Sequence, residues 1–206
     1  MPSRNIVKQF DIDSYYHIYS RGVAKQLIFY DSTDKAQFIK IVQRHLDPED
    51  RTVKVDGTPY RKFTGELEVL CYCLMGNHFH LLVYQFAKPE AITDFMRSVL
   101  TAYTMYFNHR HNRVGPLYQS VYKSSRITDD SYLLHITRYI HLNPRSYKTY
   151  HYSSISQYLG SPSPAWLTPS RILDLFEGDD YLEFLEDYED AKESLDIIKH
   201  ELADNI

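Results

Sequence analysis

A chain of 206 residues with 43% apolar and 15% aromatic side chains has enough material for one well-buried domain and an appendage. No stretch approaches the roughly 20 continuous apolar residues of a membrane span, and the opening MPSRNIVKQFDID lacks the apolar segment of a secretory signal, so a cytoplasmic protein with no membrane partner is expected. The net charge of −4 conceals a division, because residues 174 to 206 hold 13 acidic and 2 basic side chains while the preceding part holds 21 basic against 14 acidic.

In chain order, the aromatic run YYHIYS (15–20) ends at the turn signal Arg21-Gly22 and predicts a first strand. DKAQFIKIVQRHL follows an N-cap stretch and carries apolar residues at helical spacing, predicting a first helix. The polar segment from Asp47 to Glu66 reads as a loop, with a short hairpin around Asp56-Gly57. LEVLCYCLM and HFHLLVYQ, joined through Gly76-Asn77, predict an antiparallel hairpin. A second helix is expected from Pro89 to Asn108, a fourth strand or ribbon in LYQSVYKSSRI, and a third helix in DDSYLLHITRYIHLN that Pro144 terminates. The order is that of an α+β, ferredoxin-like antiparallel sheet with packed helices. Residues 1–150 are expected to form this domain, and residues 151–206 an acidic extension with helices in TPSRILDLF and from Asp179 to Leu202.

Two histidines one residue apart interrupt the apolar run CYCLMGNHFHLLV. In an extended chain alternate side chains share a face, so His78 and His80 present two ring nitrogens side by side, a clamp for Mg²⁺, Mn²⁺ or Zn²⁺ depending on what completes the shell. A lone strand histidine is ordinarily a satisfied core or rim group, and only a third ligand distinguishes the pair from that. Asn143 offers an amide oxygen suited to a hard cation, and Tyr139, four residues earlier on the same helix face, offers a phenol as nucleophile. The ordinary role for both is packing at a helix end. The two cysteines, Cys71 and Cys73, are spaced poorly for a disulfide with each other and are expected as reduced thiols. No acidic residue falls between Asp94 and Asp129, where Arg97, Arg110, Arg113, Lys123 and Arg126 alternate with Tyr103, Tyr106, Phe107, Tyr118 and Tyr122. This composition suits a single-strand surface, with cations for phosphates and rings for bases, as well as it suits a solvated helix followed by a core strand.

GNHFHLL resembles the metal-binding motif of the HUH nucleases. The set YYHIYSRG, MGNHFHLLV, GPLYQSVYKS and YLLHITRYIHLNP, in that order over about residues 14 to 160, resembles the single-tyrosine transposases of the insertion-sequence-200-like group, especially their REP-associated relatives. The resemblance implies the HUH nuclease fold and cleavage of single-stranded DNA with hairpin or repeat ends through a 5′-phosphotyrosine link, resolved by attack of a second 3′-OH. It implies Tyr139 as the nucleophile and Mg²⁺ or Mn²⁺ held by His78, His80 and Asn143; some relatives carry Gln at this last position. It adds Arg21 and Arg138 to the basic residues above as DNA contacts, His17, Tyr19, His135 and His141 as candidate neighbours of the site, and a monomer or homodimer as the working unit. Two alternatives stand beside it. One is a domesticated, non-mobile DNA-binding protein. The other is a zinc-binding regulatory protein built from Cys71, Cys73, His78 and His80, which depends on whether a two-residue loop sets Cys73 opposite His80 or a three-residue loop sets Tyr72 there.

Overall fold

The fold is that of a computed structural model, which describes residues 10–176 and 180–187. Its elements follow the predicted order: β1 (Ser14–Arg21), α1 (Ser32–Leu46), β2 (Leu67–Leu74), β3 (His78–Gln85), α2 (Ala91–Arg110), β4 (Lys123–Ile127) and α3 (Asp130–His141). The four strands pair antiparallel in the order β2-β3-β1-β4, an α+β sheet with helices on both faces. The polar loop makes a small turn, with Val53 bridged to Pro59 and Gly57 at φ +81°. The ribbon expected at 117–127 is a strand only over its last five residues. Upstream of them, Leu117 and Tyr122 are buried and Tyr118 bridges to Gly22, so side-chain anchoring replaces a continuous ladder.

Strand alternation divides the core in two. Phe79, Leu81 and Val83 of β3 pack with Phe38 of α1 and Phe95, Val99 and Tyr103 of α2. On the other face Leu82 meets Leu133, Ile136 and Ile140, the buried stripe of α3. His78 and His80 are in phase with Leu82 and therefore look toward α3. Two devices fix where that helix lies. Asp129 caps it by accepting a bond from the Tyr132 amide (3.0 Å), and Pro144 prevents its continuation.

The described part of 151–206 joins both cores. Leu167 packs with the α1 and α2 layer, and Ile155, Tyr158, Ile172 and Tyr181 pack with α3. It also covers the β2 edge: Ser154 N donates to Tyr72 O (3.0 Å) and Thr168 N to Val69 O (2.9 Å). TPSRILDLF yields only the short α5 (Ser170–Leu173), after the equally short α4 (Ile155–Tyr158). Of the acidic helix expected from Asp179 to Leu202, α6 (Tyr181–Glu186) is seen, and Asp179 and residues 188–202 lie outside the described ones. Among the described residues no helix is long and apolar enough to cross a membrane.

His141 fastens α3 to this extension. It is fully buried, with Nδ1 2.6 Å from the Tyr181 hydroxyl and Nε2 2.8 Å from Ser154 Oγ. Burial lowers its pKa from 6.5 to about 3. The unfolded chain therefore binds the proton first, so the stability from a neutral His141 is full above about pH 6.5 and is lost as pH falls toward 3. Between pH 7 and 5 this one residue withdraws about 2 kcal/mol. Urea unfolding at the two pH values should show a drop smaller by that amount in His141→Gln, and an equal drop in both proteins would refute the assignment.

Candidate active site

The Met75–His78 pair closes a two-residue turn, Gly76-Asn77, between β2 and β3: Met75 N donates to His78 O (2.9 Å), and Cys73 lies opposite His80. Its tip is pinned from outside. Asn77 O accepts from Gly22 N (2.9 Å) and Gly76 O from Ile28 N (2.9 Å). Gly22 has to be glycine, since a Cβ there would meet Gln26 O at 2.1 Å. Asn77, held in this way, puts its Oδ1 2.7 Å from His78 Nδ1.

The side chains named from the sequence converge. His78 Nε2 faces Asn143 Oδ1 at 3.1 Å, and the rings of His78 and His80 are 5.0 Å apart. The Tyr139 ring stands edge-on to His80 at 5.4 Å, and its hydroxyl is hydrogen-bonded to the Asn143 side chain. His80 Nδ1 lies 2.9 Å from His17 Nε2, with both residues buried. Burial, and then the neighbouring His78 and His17, hold His80 well below the usual histidine range; burial also lowers His78, with the Asn143 contact acting in the opposite sense. Both rings are therefore neutral at pH 7. Burial raises the Tyr139 phenol, and the Asn143 bond and the Arg21 charge act against it.

This donor set fits a hard divalent cation. His80 Nε2 is buried and has no hydrogen-bond partner. Both ring nitrogens of His78 face amide oxygens, and in the tautomer that donates to Asn77 the Nε2 lone pair faces the lone pairs of Asn143 Oδ1. Two electron-pair donors about 3 Å apart suit adjacent ligands of an octahedral ion with bonds of about 2.1 Å. The zinc alternative fails. The hairpin takes the two-residue register, yet among the described residues no three or more His, Cys, Asp or Glu side chains gather as a metal set. Cys71 and Cys73 are buried thiols, raised by desolvation and inert as thiolates.

Residues 62–143 match the family profile described as "Transposase IS200 like". This segment is an IS200-like transposase domain. It marks the chain as an enzyme acting on DNA. No curated protein matches the chain. The solved structure of the REP-associated tyrosine transposase bound to a REP hairpin is 10% identical, with a TM-score of 0.55 over 80% of this chain and 91% of that one, and so shares the fold. A protein from Deinococcus radiodurans R1, described as a candidate transposase, is 17% identical over 68% of this chain and 95% of its own, at a TM-score of 0.38.

Around the transposase domain the expected basic surface is divided. Arg21, cross-strand from His78, and Lys123, cross-strand from Tyr19, line a small cleft beside the histidines with Gln119 and Ser120. The other basic residues are placed elsewhere. Arg97, Arg110 and Arg113 belong to the α2 layer on the opposite face, where Arg97 pairs with Asp94, Arg110 with Asp31 and Asp34, and Arg113 with Asn108. Arg126 is in phase with Tyr16, points away from the histidines and pairs with Asp11. Arg138 is buried, with its guanidinium 3.7 Å from the Phe184 ring centroid and bonded to the Phe184 carbonyl. It fastens α3 to α6 and is not an exposed DNA contact. The rings read as stacking platforms are also internal: Tyr103, Phe107 and Tyr122 belong to the α1 and α2 core. His17 lies within the YYHIYSRG motif of the resemblance, in phase with Tyr19 and Arg21, and joins the site through its contact with His80.

Proposed function

We propose that this transposase cleaves and rejoins single-stranded DNA near hairpins, with Tyr139 as nucleophile and Mg²⁺ or Mn²⁺ held by His78, His80 and Asn143. The observation that carries the reading is the convergence of Tyr139 and Asn143 on the two imidazoles of His78 and His80. The matched fold of a transposase bound to a REP hairpin supports DNA of that kind as substrate.

Tyr139 Oη attacks the scissile phosphorus, the P–O3′ bond breaks, and the phenolic proton is lost as the departing oxygen becomes a 3′-OH. The 5′ end remains on the tyrosine. A second 3′-OH reverses the exchange and restores the phenol, so the energy of the phosphodiester is kept and no nucleotide is consumed. A cation held by His78, His80 and Asn143 would supply positive charge to the phosphoryl oxygens. Asn143 orients the phenol through its hydrogen bond. Arg21, whose charge already favours the phenolate, and Lys123 meet the flanking phosphates from the cleft.

The test is incubation with single-stranded oligonucleotides carrying a hairpin. A detergent-stable protein–DNA adduct should form with Mg²⁺ or Mn²⁺ and vanish on chelation, and an adduct undiminished by chelator would defeat the metal assignment.

A further inference from the structure

His17 takes no part in the exchange described above, yet it is more deeply buried than either histidine of the pair, at 1% exposure against 3% for His80. It lies in mid-β1, cross-strand from Leu82 on β3 and from Ser125 on β4, and projects onto the α3 face. Its ring stacks on His80 at 5.1 Å with an interplanar angle of 19°, and the Tyr139 ring stands edge-on to it at 6.3 Å. His17 Nε2 and His80 Nδ1 lie 2.9 Å apart, a distance that needs one proton between the two nitrogens, so one of them donates and the other accepts.

The choice of donor decides what His80 offers on its other side. If His80 donates from Nδ1, its Nε2 keeps a lone pair at the buried position that lacks a protein partner. If His17 donates, His80 Nε2 carries a hydrogen at that same position, with no acceptor and turned against any cation. The first arrangement is completed by a cation, and the second excludes one. Asn77 Oδ1 stands in the same relation to His78 Nδ1, and the other nitrogen of that ring faces Asn143 Oδ1.

We infer that His17 is a positioning residue for the metal centre: by accepting the Nδ1 proton of His80, it fixes the tautomer whose Nε2 binds a divalent cation. This rests on the His78, His80 and Asn143 reading of the centre. It assigns a task to a residue well outside the His-x-His motif, since groups that orient metal-binding imidazoles ordinarily govern affinity by about 10- to 100-fold.

Two variants and two readouts test it. His17→Phe keeps a flat ring in the stack and removes the acceptor, whereas His17→Gln restores an acceptor through its amide oxygen. In metal-free protein with ¹⁵N-labelled histidine, His80 should carry its proton on Nδ1 in the wild type and in His17→Gln, and on Nε2 in His17→Phe. Calorimetric titration with Mn²⁺ should show affinity weakened about 10- to 100-fold in His17→Phe, with most of the loss recovered in His17→Gln. A wild-type His80 protonated on Nε2, or a folded His17→Phe that binds Mn²⁺ as the wild type does, overturns the inference. If His17→Phe does not fold, His17→Gln decides: native tautomer with native affinity supports it, and a folded protein with weak affinity overturns it. A wild type that binds no Mn²⁺ while showing the Nδ1 tautomer overturns the metal centre and the inference together, a result distinct from failure of His17 alone.

Discussion

Tyr139→Phe abolishes covalent capture of DNA, lowering adduct formation by about 10³-fold or more, while the fold and the affinity for Mn²⁺ stay close to those of the wild type. The substitution removes one oxygen and nothing else. Phenylalanine keeps the edge-on contact with His80 at 5.4 Å and with His17 at 6.3 Å, so the packing of α3 on the sheet is preserved. The bond to Asn143 is lost, and such a bond at a half-buried site is worth at most about 1 kcal/mol. What disappears is the only atom of residue 139 able to bond to phosphorus. A competing phenol is that of Tyr19, whose ring lies 6.0 Å from that of His80. Denaturing gels give the adduct yield and peptide mass spectrometry its position. An adduct that persists in Tyr139→Phe, or that maps to Tyr19, would remove Tyr139 from its role.

The parts of this site that could be read in the sequence are those set by short-range geometry. The period of two in HFH fixes a shared face, and this holds in the folded chain. The interval of four from Tyr139 to Asn143 does not fall on one helix, because α3 ends at His141 and Asn143 follows its C-cap Leu142, yet the turn there still brings the two side chains together. A two-residue Gly-Asn loop likewise leaves little freedom in the register of β2 against β3. Relations between distant segments are different. The contact of His17 with His80 spans 63 positions and depends on β1 inserting between β3 and β4, which no local pattern announces. The basic and aromatic stretch from Arg97 to Arg126 misleads for a related reason. Composition cannot tell a ring that stacks on a base from one that fills a core, and Tyr103 and Phe107 point inward because the apolar stripe of α2 requires it. Arg138 misleads similarly, since its burial depends on Phe184, which arrives 46 positions later.

His78→Ala should lower Mn²⁺ affinity by about 100-fold or more and abolish strand cleavage at low cation concentration, with recovery as Mn²⁺ is raised. His78 is the better ligand to remove. His80 is buried against His17, so deleting it strands a second imidazole and opens a gap in the α3 core, which confounds chemistry with stability. His78 sits half-buried at the first position of β3, and its loss frees Asn77 Oδ1 and Asn143 Oδ1 at a rim that water reaches, so the cost in stability should stay within about 1 kcal/mol. The decisive quantity is rescue. A weakened ligand set still forms the centre when cation is in excess, because occupancy follows mass action, whereas an enzyme without its nucleophile gains nothing from more metal. Cleavage measured against Mn²⁺ concentration should therefore shift to higher concentration in His78→Ala and stay flat at zero in Tyr139→Phe. If His78→Ala cleaves with the wild-type dependence on Mn²⁺, His78 is not a ligand and the cation is held without it; if Tyr139→Phe recovers with added cation, the roles of the two residues have been exchanged.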